Sequence, residues 1–190
     1  MLSSITPLGQ RGRGMSWKRT VVAFWIAAIS SGFAVFAAAG LIGELLRFDS
    51  VAPWGVIAAI VIAAILDLVG AKPPGPRRQV DEDWLGRYRD WVLGLGYGAQ
   101  LGAGFVTIIP SYGTWAILIV AVISGFPLAG LLGVAFGVGR SLLLLTARNV
   151  TSQSGLVERM QRFAGFESRA RWVAFSGYAV ALLGLGAYVI

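Results

Sequence analysis

Five apolar runs divide the chain, and their lengths constrain its fold more than any other feature. They are "VVAFWIAAISSGFAVFAAAGLIGELL" (21–46), "VAPWGVIAAIVIAAILDLVGA" (51–71), the long stretch from Trp91 to Gly125, "PLAGLLGVAFGVGRSLLLLT" (127–146) and "WVAFSGYAVALLGLGAYVI" (172–190). A helix needs about 20 apolar residues to cross the hydrocarbon of a bilayer, and these runs reach or approach that length. Only 13% of the 190 residues are charged, about half of the roughly 25% with which a soluble domain covers its surface. In hydrocarbon every backbone N–H and C=O must be paired within the segment, which for such runs means helix. The expected fold is all-α, a polytopic membrane helical bundle.

The first run follows a basic stretch (Arg11, Arg13, Lys18, Arg19) and contains the small residues of "FAAAG", as a secretory signal does. It is much longer than a 7–15-residue signal core, so an anchored first helix is expected. Nothing before Met15 reads as structured, so residues 1–20 are expected to be a flexible basic tail, with Met15 as an alternative start. Residues 21–190 then form a single transmembrane domain.

Positive charge decides the number of crossings. Lys and Arg cluster in the tail, in the 72–90 connection (Lys72, Arg77, Arg78, Arg87, Arg89) and in 147–171 (Arg148, Arg159, Arg162, Arg169, Arg171). If 91–125 crosses once, all three clusters lie on one side and only Arg47 lies on the other. If it crosses twice, the last cluster changes side and the positive-inside bias fails. About five spans follow, with the amino terminus inside, the carboxyl terminus outside and the third span broken. The setting is a bacterial-type plasma (inner) membrane. The net charge of +7 has this explanation, and nucleic acid is not an expected partner.

The break is written in "GLGYGAQLGAGFVTIIPSYG", 94–113. Pro110 lacks a backbone donor and disfavours helix at Ile109, and glycines loosen the stretch before it. A broken helix inside a bilayer survives only where protein or a water-filled cavity satisfies the freed groups. Gln100, Thr107, Ser111, Tyr112 and Thr114 are the local polar partners. Two readings stand side by side: a packed proline kink, and a binding region such as transporters build at broken helices.

"GLGYGA" matches a dinucleotide-binding pattern, but it has neither the preceding strand nor the later acidic residue that the chemistry requires. Its glycines, with Gly98-x-x-x-Gly102 and Gly133-x-x-x-Gly137, read as close helix contacts. Asp67, near the inner end of the second run, and Arg140, near the inner end of the fourth, are ionisable groups inside spans. They are candidates for a charged gate, and snorkelling to the interface is the alternative. Glu44 is spaced to pair with Arg47. The candidate substrate-binding set is Asp67, Gln100, Thr107, Pro110, Ser111, Tyr112 and Arg140.

The segments 80–91 and 152–171 alternate aromatic or aliphatic residues with arginine at helical spacing. They are expected to lie amphipathically at the cytoplasmic interface against anionic lipid. "NVT" at 149–151 matches the glycosylation pattern on the side where no glycan is added. The chain has no cysteine and no histidine, so thiol relays, the commonest metal ligands and Ser-His-Asp catalysis are all lacking. No catalytic constellation, cofactor or metal is expected, and the chain does not read as an enzyme.

"GAGFVTIIPSYGTWAILIVAVISGFPLAGLLGVAFGVGRSLLLL", 102–145, resembles the second half of the CcdA/DsbD-type membrane domain and the wider LysE-like transporters. Pro110 stands at the broken helix, and Ser111 occupies the place of the redox cysteine. The resemblance implies a related helical scaffold and a small-solute carrier or a noncatalytic relative. Reductant transfer does not carry over to a chain without cysteine. The leading functional expectation is a small-solute carrier or exporter-like protein, acting as a homodimer. The alternative is a noncatalytic accessory or assembly subunit of a larger membrane complex.

Overall fold

The computed structural model describes residues 5–48, 52–76, 84–109, 111–164 and 176–179. All regular structure among them is helical: α1 (Pro7–Gly12), α2 (Trp17–Leu45), α3 (Ala52–Leu68), α4 (Trp84–Arg87), α5 (Asp90–Ala103), α6 (Gly113–Ser124), α7 (Leu128–Leu145) and α8 (Gln153–Ala164). Residues 176–179 form a further helical turn. Of these, α2 and α7 are long and apolar enough to cross a membrane.

α2 is the mast of the bundle. Its 29 residues extend about 43 Å at 1.5 Å per residue. Thr20, Phe24, Ala28, Gly32, Phe36 and Gly40 are buried along it at every fourth position, which carries the packed stripe slowly around the helix. Two partners use that stripe in opposite directions. In α5, a Cβ at Gly94, Gly98 or Gly102 would strike the carbonyls of Thr20, Phe24 and Ala28 in turn, so α5 runs parallel to α2. In α7, Ala129 meets Gly40, Gly133 meets Gly32 and Gly137 meets Ala28, so α7 runs antiparallel. The Ala28 carbonyl is approached by Gly102 from one side and Gly137 from the other. This is the waist of the bundle, and no residue larger than glycine fits either position without moving backbone.

α6 ends beside α2, where Gly43 lies against the Val122 carbonyl. α5 and α6 therefore follow one another along α2: the first beside residues 16–31, the second finishing beside residue 43. The path is interrupted between them. The sequence places the interruption at Pro110, which lies outside the described residues, but α5 already ends at Gly104. That glycine has φ +81°, a conformation that L side chains rarely adopt, and the Phe136 ring closes over it at 3.0 Å from a would-be Cβ.

α3 turns back from the α2–α6 end and packs on α6. Val56, Ile60 and Ala63 form its buried face, and Asp67 is the next position on that face. Gly70 stops the helix. With φ +71° it lets the Ala71 N–H reach Leu66 O at 2.9 Å and its own N–H reach Asp67 O at 3.2 Å, the paired bonds of a Schellman cap.

The amino-terminal segment differs from the flexible tail expected of it. Thr6 caps α1 by accepting the Gly9 N–H at 3.0 Å, and Pro7 stands in the first turn, where its missing donor costs nothing. Ile5 is fully buried in a cluster with Val21, Phe24, Leu93, Tyr97 and Leu144. The Leu8 N–H bonds Val150 O at 3.1 Å. Apolar residues at 5 and 15 give this short stretch an anchor at each end, and the tail closes one end of the bundle.

The two segments expected at the interface are described in part. Trp84 stacks on Tyr97 with centroids 6.3 Å apart and covers Gly96 of α5, so that face is occupied by protein. Residues 77–83 lie outside the described residues. α8 occupies the expected 152–171 region as far as Ala164, and residues 165–171 are outside the description. Glu44 accepts the Phe126 N–H at 2.8 Å, tying the turn before α7 to α2, where an Arg47 pair was expected. Of the fifth apolar run, 172–190, only residues 176–179 are described.

Candidate functional site

The interruption between α5 and α6 leaves the amino-terminal N–H groups of α6 without helical partners, and Asp67 of α3 supplies an acceptor. Its Oδ1 takes the Tyr112 N–H at 2.9 Å. Its Oδ2 takes the Ser111 hydroxyl at 2.6 Å and the Tyr178 hydroxyl at 2.7 Å. Ser111 Oγ in turn accepts the Gly113 N–H at 2.9 Å and lies 3.4 Å from the Tyr178 oxygen. A carboxylate from one helix thus caps another, and the partial positive charge of a helix amino terminus favours it there.

The segment after α3 wraps the same opening. The Tyr112 hydroxyl donates to Lys72 O at 3.1 Å, and the Trp115 indole donates to Pro74 O at 2.9 Å. A Cβ at Gly75 would sit 2.8 Å from Ile109 Cδ1. The chain on both sides of Pro110 is therefore held by the 72–75 segment.

The height of this site along the bundle follows from the packing. α6 has 12 residues and ends beside Gly43, so its start lies about 18 Å lower, near the level of Ser31. Gly102, at the end of α5, touches Ser31 Oγ and marks the same level from below. Asp67 lies about halfway along α2, where the sequence had placed it toward an end.

Beside the break, Phe36, Ala103, Gly104, Phe105, Ile109, Thr114, Trp115 and Leu118 line a half-open, mostly apolar recess of only about 10 Å³, about the least that one water needs. A larger open cleft of about 550 Å³ lies at the far end of the bundle, lined by Glu44, Arg47, Ser124 and Gly125 among others.

Of the seven residues singled out from the sequence, the structure gathers Asp67, Ser111 and Tyr112. Gln100 is half-buried on α5 and Thr107 is buried in the break, but neither bonds to the cluster. Pro110 lies outside the described residues. No ion pair joins Arg140 to Asp67. The guanidinium lies over the Phe136 ring at 5.1 Å, a cation–π placement on its own helix, and the anticipated charged gate is not formed. Tyr178 is the member that sequence reasoning missed. Its signal was present: a phenol beside Ser176 and Gly177 within an apolar terminal run.

No protein-family model, curated protein or solved structure matches the chain.

Proposed function

We propose that the chain is a multi-pass protein of the plasma (inner) membrane with about five crossings, and that it carries a small solute past the interruption between α5 and α6. The binding residues are Asp67, Ser111, Tyr112 and Tyr178, and the amino terminus is cytoplasmic. One observation carries the reading: a carboxylate with no cationic partner among the described residues is held by neutral donors at a broken helix, halfway along an apolar bundle. An ionisable group at such depth is expensive in a bilayer and is characteristic of solute and ion pathways. Broken helices with their amino termini aimed at a charge are the usual construction of a carrier site. The orientation draws support from charge placement: Arg11, Arg13, Lys18, Arg19, Arg87, Arg89 and Arg148 all belong to segments at the α1 end, and Arg47 belongs to the other. The likeness of 102–145 to CcdA/DsbD-type and LysE-like proteins fits the same reading, with Ser111 where the redox cysteine would stand.

The natural chain has no cysteine, which makes the test direct. Single Ser111→Cys and Thr114→Cys proteins are exposed to a membrane-impermeant thiol reagent in right-side-out and inverted vesicles. A carrier site reacts from both sides. Reaction from one side only, or from neither, in a folded protein overturns the carrier reading.

The smallness of the recess beside the break, about 10 Å³, favours a second reading: a noncatalytic accessory or assembly subunit, with the cluster as an interhelical clasp. The mass of the particle extracted in nanodiscs separates the two. One or two copies of the 20.1 kDa chain support the carrier, as a monomer or homodimer. A larger particle of fixed stoichiometry supports the subunit.

A further inference from the structure

We propose that the open cleft at the far end of the bundle binds the headgroup of an ethanolamine phospholipid, with Arg47 on the phosphate and Glu44 on the primary ammonium. The inference needs only that the bundle lies in a bilayer, and it is independent of the carrier reading.

The cleft opens where the last turns of α2 and α6 part. Gly43, Glu44 and Arg47 line one wall and Ile123, Ser124 and Gly125 the other, around a space of about 550 Å³. That volume lies within the range of small-molecule sites. Two opposite charges line this space without pairing with each other. Glu44 Oε1 accepts the Phe126 N–H at 2.8 Å. A carboxylate offers about four lone-pair sites, so most of its accepting capacity remains.

Arg47 shows why the pair does not close. It follows the end of α2 with φ +56°, in the left-handed region where a helix end ordinarily places glycine and a side chain is unusual. The turn takes the guanidinium off the i, i+3 line on which it would meet Glu44. Both side chains stay exposed on one cleft. The fold thus keeps an arginine where glycine would fit better. Its guanidinium carries five N–H donors in a fork that matches phosphate, more than any one partner occupies.

The chemistry of the lining narrows the ligand. A purely anionic headgroup would meet the Glu44 carboxylate and the partial negative charge at the carboxyl-terminal ends of α2 and α6. A purely cationic ligand would meet Arg47. A zwitterion satisfies both. A choline headgroup offers Glu44 no N–H, and quaternary ammonium is recognised by aromatic faces, whereas none of these six residues is aromatic. A primary ammonium donates directly to the carboxylate, and Ser124 adds a hydroxyl to the same wall.

The surroundings of the cleft favour a lipid over a free zwitterion. Exposed Leu41, Ile42 and Leu45 continue from it along α2, and exposed Ile119 along α6, an apolar surface for acyl chains. Trp54, exposed in the first turn of α3, belongs to the same end, as a headgroup-level tryptophan does. In the orientation proposed above, this is the outer leaflet.

The test is native mass spectrometry of the full chain, purified in mild detergent. It is given equimolar phosphatidylethanolamine, phosphatidylcholine and phosphatidylglycerol with identical acyl chains. The expected result is a single ethanolamine lipid retained per chain, about tenfold over either competitor, as one charge-assisted bond implies. Glu44→Gln keeps an acceptor for the Phe126 N–H and is expected to lose the preference over the choline lipid. Arg47→Gly removes the phosphate contact while relaxing the backbone at φ +56°. It is expected to lower retention of all three lipids about tenfold with no fall in unfolding temperature, which separates lost binding from lost folding. Equal retention of the three lipids by the natural chain, or an ethanolamine preference unchanged in both variants, overturns the proposal. Glycerophosphoethanolamine, the same headgroup without acyl chains, distinguishes the sources. Displacement of the bound lipid only at concentrations far above the lipid's own upholds the membrane source. Displacement at matching concentrations shows a soluble zwitterion to be the ligand and overturns it.

Discussion

The Tyr178 hydroxyl donates to the Asp67 carboxylate at 2.7 Å across 111 residues of sequence. This bond fastens the helical turn 176–179 to the seam between α3 and α6 and completes a cluster that no single segment of the chain contains. The expectations that follow test the cluster, the waist and the amino-terminal closure separately.

Removing the carboxylate and removing only its charge differ in a predictable way. Asp67→Ala leaves the Tyr112 N–H and two hydroxyls without their acceptor at the start of α6. It is expected to cost about 2–4 kcal/mol, since each buried group left unpaired costs about 1–3 kcal/mol. Asp67→Asn keeps an acceptor for Tyr112 and is expected to cost about 1 kcal/mol. Thermal unfolding of the two variants in identical nanodiscs measures the difference. Equal losses would show that Asp67 does not cap α6.

The waist distinguishes glycines that are needed from those that are not. Gly137→Leu and Gly102→Leu force a side chain into the Ala28 carbonyl and are expected to lose 3 kcal/mol or more, at or beyond the upper end of overpacking costs of about 1–3 kcal/mol. Gly139 is on the same helix with nothing within 4 Å of a would-be Cβ. Gly139→Ala is expected to be neutral or to gain up to about 1 kcal/mol through helix propensity. Denaturant titration of all three reads the contrast.

Residues 5–15 are expected to behave as part of the fold. Gln10 is fully buried, and neither its amide nitrogen nor its amide oxygen has a partner. Replacing it with methionine, of similar length, removes an unmatched polar group and is expected to stabilise by about 1–2 kcal/mol. Thr6→Ala removes the cap on α1 and is expected to cost about 1 kcal/mol. A chain begun at Met15 loses Ile5 from the cluster around Phe24 and should unfold at lower temperature. An unchanged midpoint for that truncation would return the segment to a loose tail.

Trp84 supplies a separate check on the 84–97 contact. Trp84→Ala removes a ring that stacks on Tyr97 and covers Gly96. It is expected to destabilise by about 2–4 kcal/mol, less than full core burial because the ring is only half-buried. Quenching of tryptophan fluorescence by brominated lipid in the natural chain should leave Trp84 comparatively protected, whereas exposed Trp54 and Trp91 should be quenched.

Much of the helical content and the logic of close packing was legible in the residues. Apolar runs of spanning length can satisfy their backbones only as helices, and glycines spaced by four on 94–102 and 133–137 can serve only close approach. Asp67, Ser111 and Tyr112 were identifiable because a polar residue in an apolar run needs a partner. Their partners in one another were not, because Asp67 and Ser111 are 44 residues apart and nothing local couples them. The break illustrates the limit. A proline announces itself in sequence, yet the helix stops at Gly104, because the Phe136 ring from α7 packs where a continuing side chain would stand. Arg140 was conspicuous as a charge in an apolar run, but its answer is the neighbouring ring of Phe136, and no carboxylate among the described residues is involved.

The sequence by itself determined that the chain is helical, which stretches are apolar enough for a membrane, and which residue types have no chemistry to offer. These properties follow from composition and period, which act residue by residue. Tertiary structure alone decided that α5 and α6 follow one another beside α2, that residues 5–15 close the bundle, and that Tyr178 completes the ring of donors around Asp67. Each of these depends on where a backbone carbonyl or hydroxyl lies relative to a distant helix. That relation is set by the close approach of glycine-lined surfaces, and it is not encoded at any one position.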